Sequence, residues 1–273
     1  MLNYEKVVES SSSSYQENAL IFLARRGYNL DDYEKSNMYY TKLLEFASSN
    51  SIKREVVIRL MTGNEHTDKI VALKYAKQVI ELDKTDNWLL SKAYIIIARD
   101  EFESGNYAKS KSTFETVSKL SFYDEGTEAK YSLAYLTYLD EDLVLAEQLI
   151  FALAEDYNND HFIAKAFILL SDIYMAQSNV FQAKATLESI IENHDDEGLV
   201  NVARKKWELI LESEKEMTFD EVKEQSFIEI SEDDFQYEVK EIDEDYIVPM
   251  PDTLSIERDS LEITNENILE DEF

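Results

Sequence analysis

The sequence predicts an all-α protein, an α-α superhelix built as a solenoid of helical hairpins. Only 5 Gly and 2 Pro occur among its 273 residues, and so few helix breakers favour long helices. Small and apolar residues recur at steps of three and four, which places them on one helix face. Tyr94, Tyr131 and Phe167 lie 37 and 36 residues apart, and such a period indicates stacked repeats.

The stretch 164–197 shows one such hairpin most clearly. Two apolar stripes flank the short polar segment AQSN, which fits a turn between antiparallel helices. The stretch resembles a tetratricopeptide repeat at the positions where that family has large, small and aromatic residues. Ile190 replaces the last small residue of the motif, and Asp195 stands where Pro is usual. The matching residues are Phe167, Leu170, Ser171, Tyr174, Ala183 and Leu187.

The chain divides by pattern into four parts. Residues 1–14 predict a partial helix of a preceding repeat, and 15–198 predict five tetratricopeptide-like hairpins. Residues 199–216 predict a helix that caps the array, since a repeat array needs a polar-faced end. Residues 217–273 form an acidic tail, expected to be mostly disordered with a short hairpin pattern. The hairpins are expected at about 17–48, 53–86, 91–122, 128–158 and 164–197.

Two of the hairpins depart from a regular repeat. In the second, the first helix is expected to end early at Gly63, followed by a loop over 63–68. In the fourth, the turn Asp140–Asp142 is expected to be one residue shorter than the turn of the fifth.

The acidic tail differs in composition from the rest of the chain. From residue 212 onward there are 23 Asp and Glu against 4 Lys and Arg. Phe235–Val239 alternates apolar and polar residues, the period of a half-buried strand, and 226–230 pairs with it as a hairpin. Beyond Pro249 and Pro251 the charge and lack of apolar residues predict disorder.

The sequence offers no pattern for catalysis, so we expect no enzyme, cofactor or metal site. Cysteine is absent, which excludes disulfides and thiolate chemistry. His66, His161 and His194 fall in different repeats, without metal-ligand or triad spacing. The acidic runs 232–234 and 243–245 lack the Gly and spaced Asp of a calcium loop, so solvated charge is the favoured interpretation.

The formal net charge of −30 and the hydropathy pattern argue against two classes of partner. Nucleic acid is excluded because its binding depends on Lys and Arg displacing counterions. Direct membrane insertion is excluded because no apolar run approaches the roughly 20 residues of a spanning helix.

Protein–protein interaction remains, and we interpret the chain as a scaffold or adaptor. The resemblance implies a concave groove lined by fixed positions of each first helix, which binds an extended or helical partner segment. The alternative is that these residues cover one another along a purely structural array. The predicted groove residues are Arg25, Tyr28, Arg54, Met61, Lys92, Ile95, Arg99, Phe102, Leu136, Leu139, Lys165 and Met175.

The groove positions are less acidic than the chain around them, which points to the chemistry of the partner. A segment that is acidic with aromatic anchors fits, and the tail itself carries Phe227, Phe235, Tyr237 and Tyr246 among carboxylates. The expected partner is therefore another protein or peptide of this kind, or the tail. A further alternative is that the chain is the C-terminal part of a larger protein with an enzymatic or envelope function. The composition resembles bacterial envelope repeat proteins, which favours the periplasm or envelope over the cytoplasm.

Overall fold

A computed structural model describes residues 2–10, 13–156 and 160–228 of the chain. These residues contain twelve helices and no strand, so the prediction of an all-α fold is confirmed. The helices are α1 (Leu2–Ser10), α2 (Ser13–Asn29), α3 (Tyr33–Phe46), α4 (Asn50–Asn64), α5 (Lys69–Val79), α6 (Asn87–Glu103), α7 (Tyr107–Leu120), α8 (Asp124–Leu139), α9 (Leu143–Asp156), α10 (Asp160–Ala176), α11 (Val180–Asn193) and α12 (Glu197–Ile228).

The chain forms two compact units, Met1–Gln177 and Ser178–Phe273. In the first unit, consecutive helices pack against each other from α1 to α10. The pairs α2–α3, α4–α5, α6–α7 and α8–α9 are hairpins, and α10 packs on both α8 and α9. We call α2, α4, α6, α8 and α10 the first helices and their partners the second helices.

The first and third hairpins close where a small residue of the first helix meets a small residue of the second. Ala24 and Ala98 on first helices, and Ser36 and Ser110 on second helices, are fully buried. The Ser36 hydroxyl donates to the Ala24 carbonyl oxygen at 3.0 Å, and the Ser110 hydroxyl donates to the Ala98 carbonyl oxygen at 3.1 Å. Small side chains let the backbones approach closely enough for this bond to cross the hairpin.

The turn inside the hairpin is the most regular local feature. Three residues separate α2 from α3, α6 from α7 and α8 from α9. The middle residue of these turns, Asp31, Gly105 or Glu141, has positive φ. This left-handed conformation ends the first helix and reverses the chain. The turn after α10 also has three residues, so the expectation of a shorter fourth turn is wrong.

The turn of the second hairpin is longer than those of the other hairpins, but it begins two residues later than the sequence predicted. α4 continues through Gly63 to Asn64, and four residues precede α5. Asp68 caps α5 by accepting from the amides of Ile70 and Val71. Gly63 lies inside α4 rather than at its end, and close packing explains why the residue there is glycine. A Cβ atom there would collide with Oδ1 of the buried Asn37 on α3.

The second unit contains α11 packed against α12. The expected capping helix 199–216 lies within α12, which buries Leu199, Ala203 and Ile210. Lys184 and Glu214 form an ion pair at 2.8 Å between the two helices. Residues 226–228 are helical rather than part of a strand, while the strand pattern Phe235–Val239 and the tail beyond Ile228 lie outside the described residues.

Candidate partner-binding surface

The positive-φ residues fix which positions of the hairpins are equivalent. Counting six residues back from Asp31, Gly105 and Glu141 gives Arg25, Arg99 and Tyr135. We call the side of the first helices on which these three residues lie the first-helix face. This register differs from the predicted one in two hairpins.

In the fourth hairpin, the predicted groove residue Leu136 is only 3% exposed, and its neighbour Tyr135 holds the position equivalent to Arg99. In the second hairpin, the predicted groove residue Met61 is fully buried. Its neighbour Thr62 makes the contact with the first hairpin, since Thr62 Oγ1 accepts a hydrogen bond of 2.9 Å from the Tyr28 hydroxyl. One residue turns a helix by about 100°, so a one-residue error in the count along a first helix changes the side of the helix on which a position lies. Whether these positions bind a partner stays a prediction.

Arg99 is the centre of an ion-pair network across three hairpins. Its Nε and Nη2 atoms donate to the two carboxylate oxygens of Glu128 on α8, both at 2.6 Å. Its Nη1 atom donates to Glu65, at the end of α4, at 2.8 Å. Burial works against the charge of Arg99, but the hydrogen bonds and charges of Glu128 and Glu65 outweigh it and raise the pKa of the guanidinium.

Arg25 makes a similar but more exposed contact. Its Nε and Nη2 atoms donate to Glu55 on α4 at 2.7 and 2.6 Å. The hydrogen bond from Arg25 is the main cause that lowers the pKa of Glu55, and the Tyr40 hydroxyl adds a second donor at 3.2 Å. The Arg25 side chain is 55% exposed, so solvent screens this pair strongly.

The remaining predicted cations also have contacts inside the first unit. Lys92 pairs with Glu125 at 2.6 Å and lies 5.3 Å from the ring centre of Trp88. Arg54 donates from Nη1 to the carbonyl oxygen of Asp83 at 2.7 Å. Lys165 is buried, with its Nζ 5.8 Å from the ring centre of Phe162. These contacts leave less positive charge for a partner than the sequence implied.

The predicted apolar groove residues fall into two groups. Ile95 is buried in the core, and Phe102 packs against Tyr107 and Tyr135 with ring centres 5.4 and 6.0 Å away. Tyr28 lies under the guanidinium of Arg59 at 4.2 Å. By contrast, Leu139 is exposed and Met175 is half-buried, so these two remain accessible on their own helices.

One open pocket lies along α2, with a volume of about 540 Å³. Four of the five positions that the resemblance assigns to the groove in the first hairpin line it, namely Asn18, Ile21, Arg25 and Asn29. Sequence reasoning missed Arg26, although its neighbours three and four residues away on α2 carry no acidic residue. That lack of a helical partner was the available signal. The full lining is Asn18, Ile21, Phe22, Arg25, Arg26, Asn29 and Leu30.

Neither a metal site nor a spanning helix occurs in the part of the chain that the structure describes. No three His, Asp or Glu side chains there are grouped closely enough to hold a metal ion. None of the helices there combines the length and the apolar character that crossing a bilayer requires.

The hairpin geometry bears directly on the family resemblance. Equivalent three-residue turns with a left-handed middle residue recur at Gly105, Glu141 and Ser178, spaced 36 and 37 residues apart. Small buried residues close the hairpins at equivalent positions. The fold is tetratricopeptide-like.

Comparisons with known proteins give structural neighbours of low sequence identity. The crystal structure of YrrB, a TPR protein with an unusual peptide-binding site, is 17% identical, with a TM-score of 0.49 over 74% of this chain and 97% of that chain. MamA is 14% identical, with a TM-score of 0.48 over 65% and 95%. A thermophilic TPR protein of Thermus thermophilus is 15% identical, with a TM-score of 0.42 over 71% and 98%. No protein-family model and no curated protein matches the sequence.

Proposed function

We propose that the chain is a non-catalytic scaffold that binds a segment of a partner protein along the first-helix face. The observation that carries this proposal is the pocket on α2. It combines exposed apolar side chains, Phe22 and Leu30, with two guanidinium groups, Arg25 and Arg26. Apolar anchors with a few placed charges are the usual composition of a protein-binding surface.

The shape of the pocket favours an elongated ligand. Its lining residues all lie on one face of α2 and the residue after it, from Asn18 to Leu30. Twelve residues of helix correspond to about 18 Å, which suits a short peptide segment better than a compact metabolite. We therefore place the first contact of the partner on the first hairpin.

A purely structural array is the second candidate, and the ion pairs favour it. Arg99 links α6 to both α4 and α8, and Lys92 is paired with Glu125. Cations held in this way orient neighbouring hairpins and have no partner role of their own. The two candidates differ in what they predict for the pocket on α2.

Capture of partners with matched bait variants separates the two candidates. The full chain serves as bait in extracts of its native source, and bound proteins are identified by mass spectrometry and then tested as purified proteins. Leu30→Glu places a charge at the pocket, where Leu30 is 62% exposed. Ile70→Glu is the control, because Ile70 is 81% exposed and lies outside the pocket.

A scaffold that uses this pocket gives a defined pattern of binding. The purified partner should bind the parent and Ile70→Glu equally, and it should bind Leu30→Glu at least about tenfold more weakly, a loss of about 1.4 kcal/mol. Equal binding to all three proteins would remove the pocket from the interface. A chain that captures no specific partner in any form would favour the structural array.

A further inference from the structure

Arg99 shows how a guanidinium group on the first-helix face joins three hairpins. Two of its nitrogens, Nε and Nη2, bind Glu128 of the following hairpin as a fork. The third, Nη1, binds Glu65 of the preceding hairpin. Arg99 therefore has one carboxylate on each side, which uses the full geometry of its planar donor group.

Arg25 occupies the equivalent position and repeats only half of this arrangement. Its Nε and Nη2 atoms form the same fork with Glu55 of the following hairpin. Its Nη1 atom has no acceptor among the residues that the structure describes. The Nη1 atom, which in Arg99 donates to the preceding hairpin, is thus available on Arg25 to donate to another acceptor.

The surroundings of this donor are partly apolar and include one guanidinium group, that of Arg26, in addition to Arg25, which is paired with Glu55. Arg26 lies beside it in the pocket without a bonded partner among the described residues, and no acidic residue lines the pocket. The local charge of the lining, two arginines, contrasts with a chain charge of −30. Ile21, Phe22 and Leu30 provide the apolar part of the surface, and one side of the Phe22 ring is stacked on Tyr4 of α1 with ring centres 4.2 Å apart.

We propose that the pocket on α2 binds an acidic amphipathic helix of a partner protein, with one of its carboxylates on Nη1 of Arg25. This inference rests on the proposed function and specifies the partner's chemistry. The helix lies along α2, and its carboxylate takes the place on Arg25 that Glu65 has on Arg99. Its apolar face covers Ile21, Phe22 and Leu30, while Arg26 contributes a second, longer-range attraction to its acidic residues.

A second copy of the chain is the less suitable occupant of this surface. A symmetric dimer through α2 would place the Arg25 and Arg26 pair of one copy against the same pair of the other. Like charges brought together at an interface cost several kcal/mol and select against that partner. Sedimentation of the full chain should therefore show no self-association that depends on Arg26.

Two helical peptides that differ in one side chain test the inference. The probes are stapled amphipathic helices of about 12 residues, long enough to span about 18 Å. One has a glutamate at the end of its apolar face and the other has glutamine there. Each is titrated into the full chain and into two variants, Arg25→Lys and Lys42→Gln, with binding followed by fluorescence anisotropy. Arg25→Lys keeps a charge for Glu55 but lacks Nη1, and Lys42→Gln removes an exposed charge of α3 outside the pocket.

The expected result is a preference for glutamate that depends on Arg25. The glutamate peptide should bind the parent and Lys42→Gln about tenfold more tightly than the glutamine peptide, as expected for a charge-assisted hydrogen bond. In Arg25→Lys the preference should fall to about threefold or less. Circular dichroism melting of each variant verifies that the fold is retained, and Arg25→Gln provides a second variant if Arg25→Lys melts early.

Two results of the titration would overturn the inference, and both leave the scaffold function to be judged separately. Equal binding of the two peptides to the parent would show an apolar contact without the carboxylate. No binding of either peptide up to about 1 mM, an affinity of only about −4 kcal/mol, would show that the pocket does not take a helix. The scaffold function itself fails only if the full chain captures no specific partner in any form. An association of the chain with itself that Arg26→Gln abolishes would replace the partner helix by a second copy.

Discussion

The side-chain hydroxyl of Ser110 donates a hydrogen bond of 3.1 Å to the carbonyl oxygen of Ala98, directly across the third hairpin. Both residues are fully buried. The first hairpin repeats this bond between Ser36 and Ala24. A bond that links equivalent positions twelve residues apart fixes the register of the two helices of a hairpin, because a shift of either helix would separate the donor from the acceptor.

Replacement of Ser110 by alanine tests the energetic value of this bond. Ala146 occupies the equivalent position of the fourth hairpin and is fully buried, so the site accepts alanine without a large cavity. We expect Ser110→Ala to lower the free energy of unfolding by about 0.5–1.5 kcal/mol, as for a typical hydrogen bond. Urea unfolding measures the change, with the exposed Ser112→Ala as control. A loss above about 3 kcal/mol would indicate a role beyond this bond.

The two arginines of the first-helix face should differ sharply in their contribution to stability. Arg99→Gln leaves the carboxylate of Glu128, which is only 5% exposed, without its ionic partner. Such a buried unpaired charge costs about 3–5 kcal/mol. Arg25→Gln disrupts a pair that solvent screens, with a cost of at most about 1 kcal/mol. Denaturant unfolding of both variants measures the difference, and equal losses would contradict the burial of the Arg99 network.

Acid should weaken the first-helix face through Glu55. The pKa of this carboxyl group is lowered in the folded chain, mainly by the hydrogen bond from Arg25. A lowered folded pKa contributes stability above the unfolded pKa, and that contribution is lost as the pH falls through the folded pKa. Glu55→Gln should therefore be less stable than the parent near neutral pH, by at most about 1 kcal/mol after screening.

The difference between these two proteins should disappear in acid. Once Glu55 of the parent is protonated, it no longer differs in charge from glutamine, so the two unfolding free energies should converge as the pH falls below the folded pKa of Glu55. Thermal melts at several pH values measure the convergence. A difference that stays constant with pH would show that Glu55 acts through packing rather than charge.

The left-handed turn residues allow a stabilising substitution. Glu141 has φ of 63°, a conformation that costs a residue with a side chain about 1 kcal/mol or more. Gly105 fills the equivalent position of the third hairpin at φ of 73°. We expect Glu141→Gly to raise the free energy of unfolding by up to about 1 kcal/mol, since the relief of strain exceeds the added chain entropy. Thermal melting measures it, and Glu141→Ala, which retains a Cβ atom, should give no gain.

The fold could be predicted from the sequence because its determinants are local. Small residues such as Ser36 and Ser110 mark the closing points of hairpins at a constant distance from the first helix. Because glycine and proline are scarce, the segments between these small residues favour the helical conformation. Such patterns need no information about distant parts of the chain.

The candidate surface could be predicted only in part, for two physical reasons. Helix faces depend on the angle per residue, so an error of one residue in the count along the first helices placed Met61 and Leu136 on the wrong side of their helices. The partners of Arg99 lie 34 and 29 residues away on other helices, and no local spacing specifies them. Most of the pocket on α2 could be predicted from the sequence because its lining residues all belong to one helix and the residue after it.

The position of Arg99 has a consequence for the order in which the first unit loses structure. In a stack of repeats each hairpin contacts only its neighbours, so unfolding can begin at an end and spread inward. The network around Arg99 joins α4, α6 and α8, whereas α1 packs on α2 alone among the described helix pairs with extensive contact, with Gln16 donating to the carbonyl oxygen of Val8. Backbone amides should therefore exchange with deuterium first in α1 and last in α6, which gives the unit a frayed end and a slowly exchanging middle.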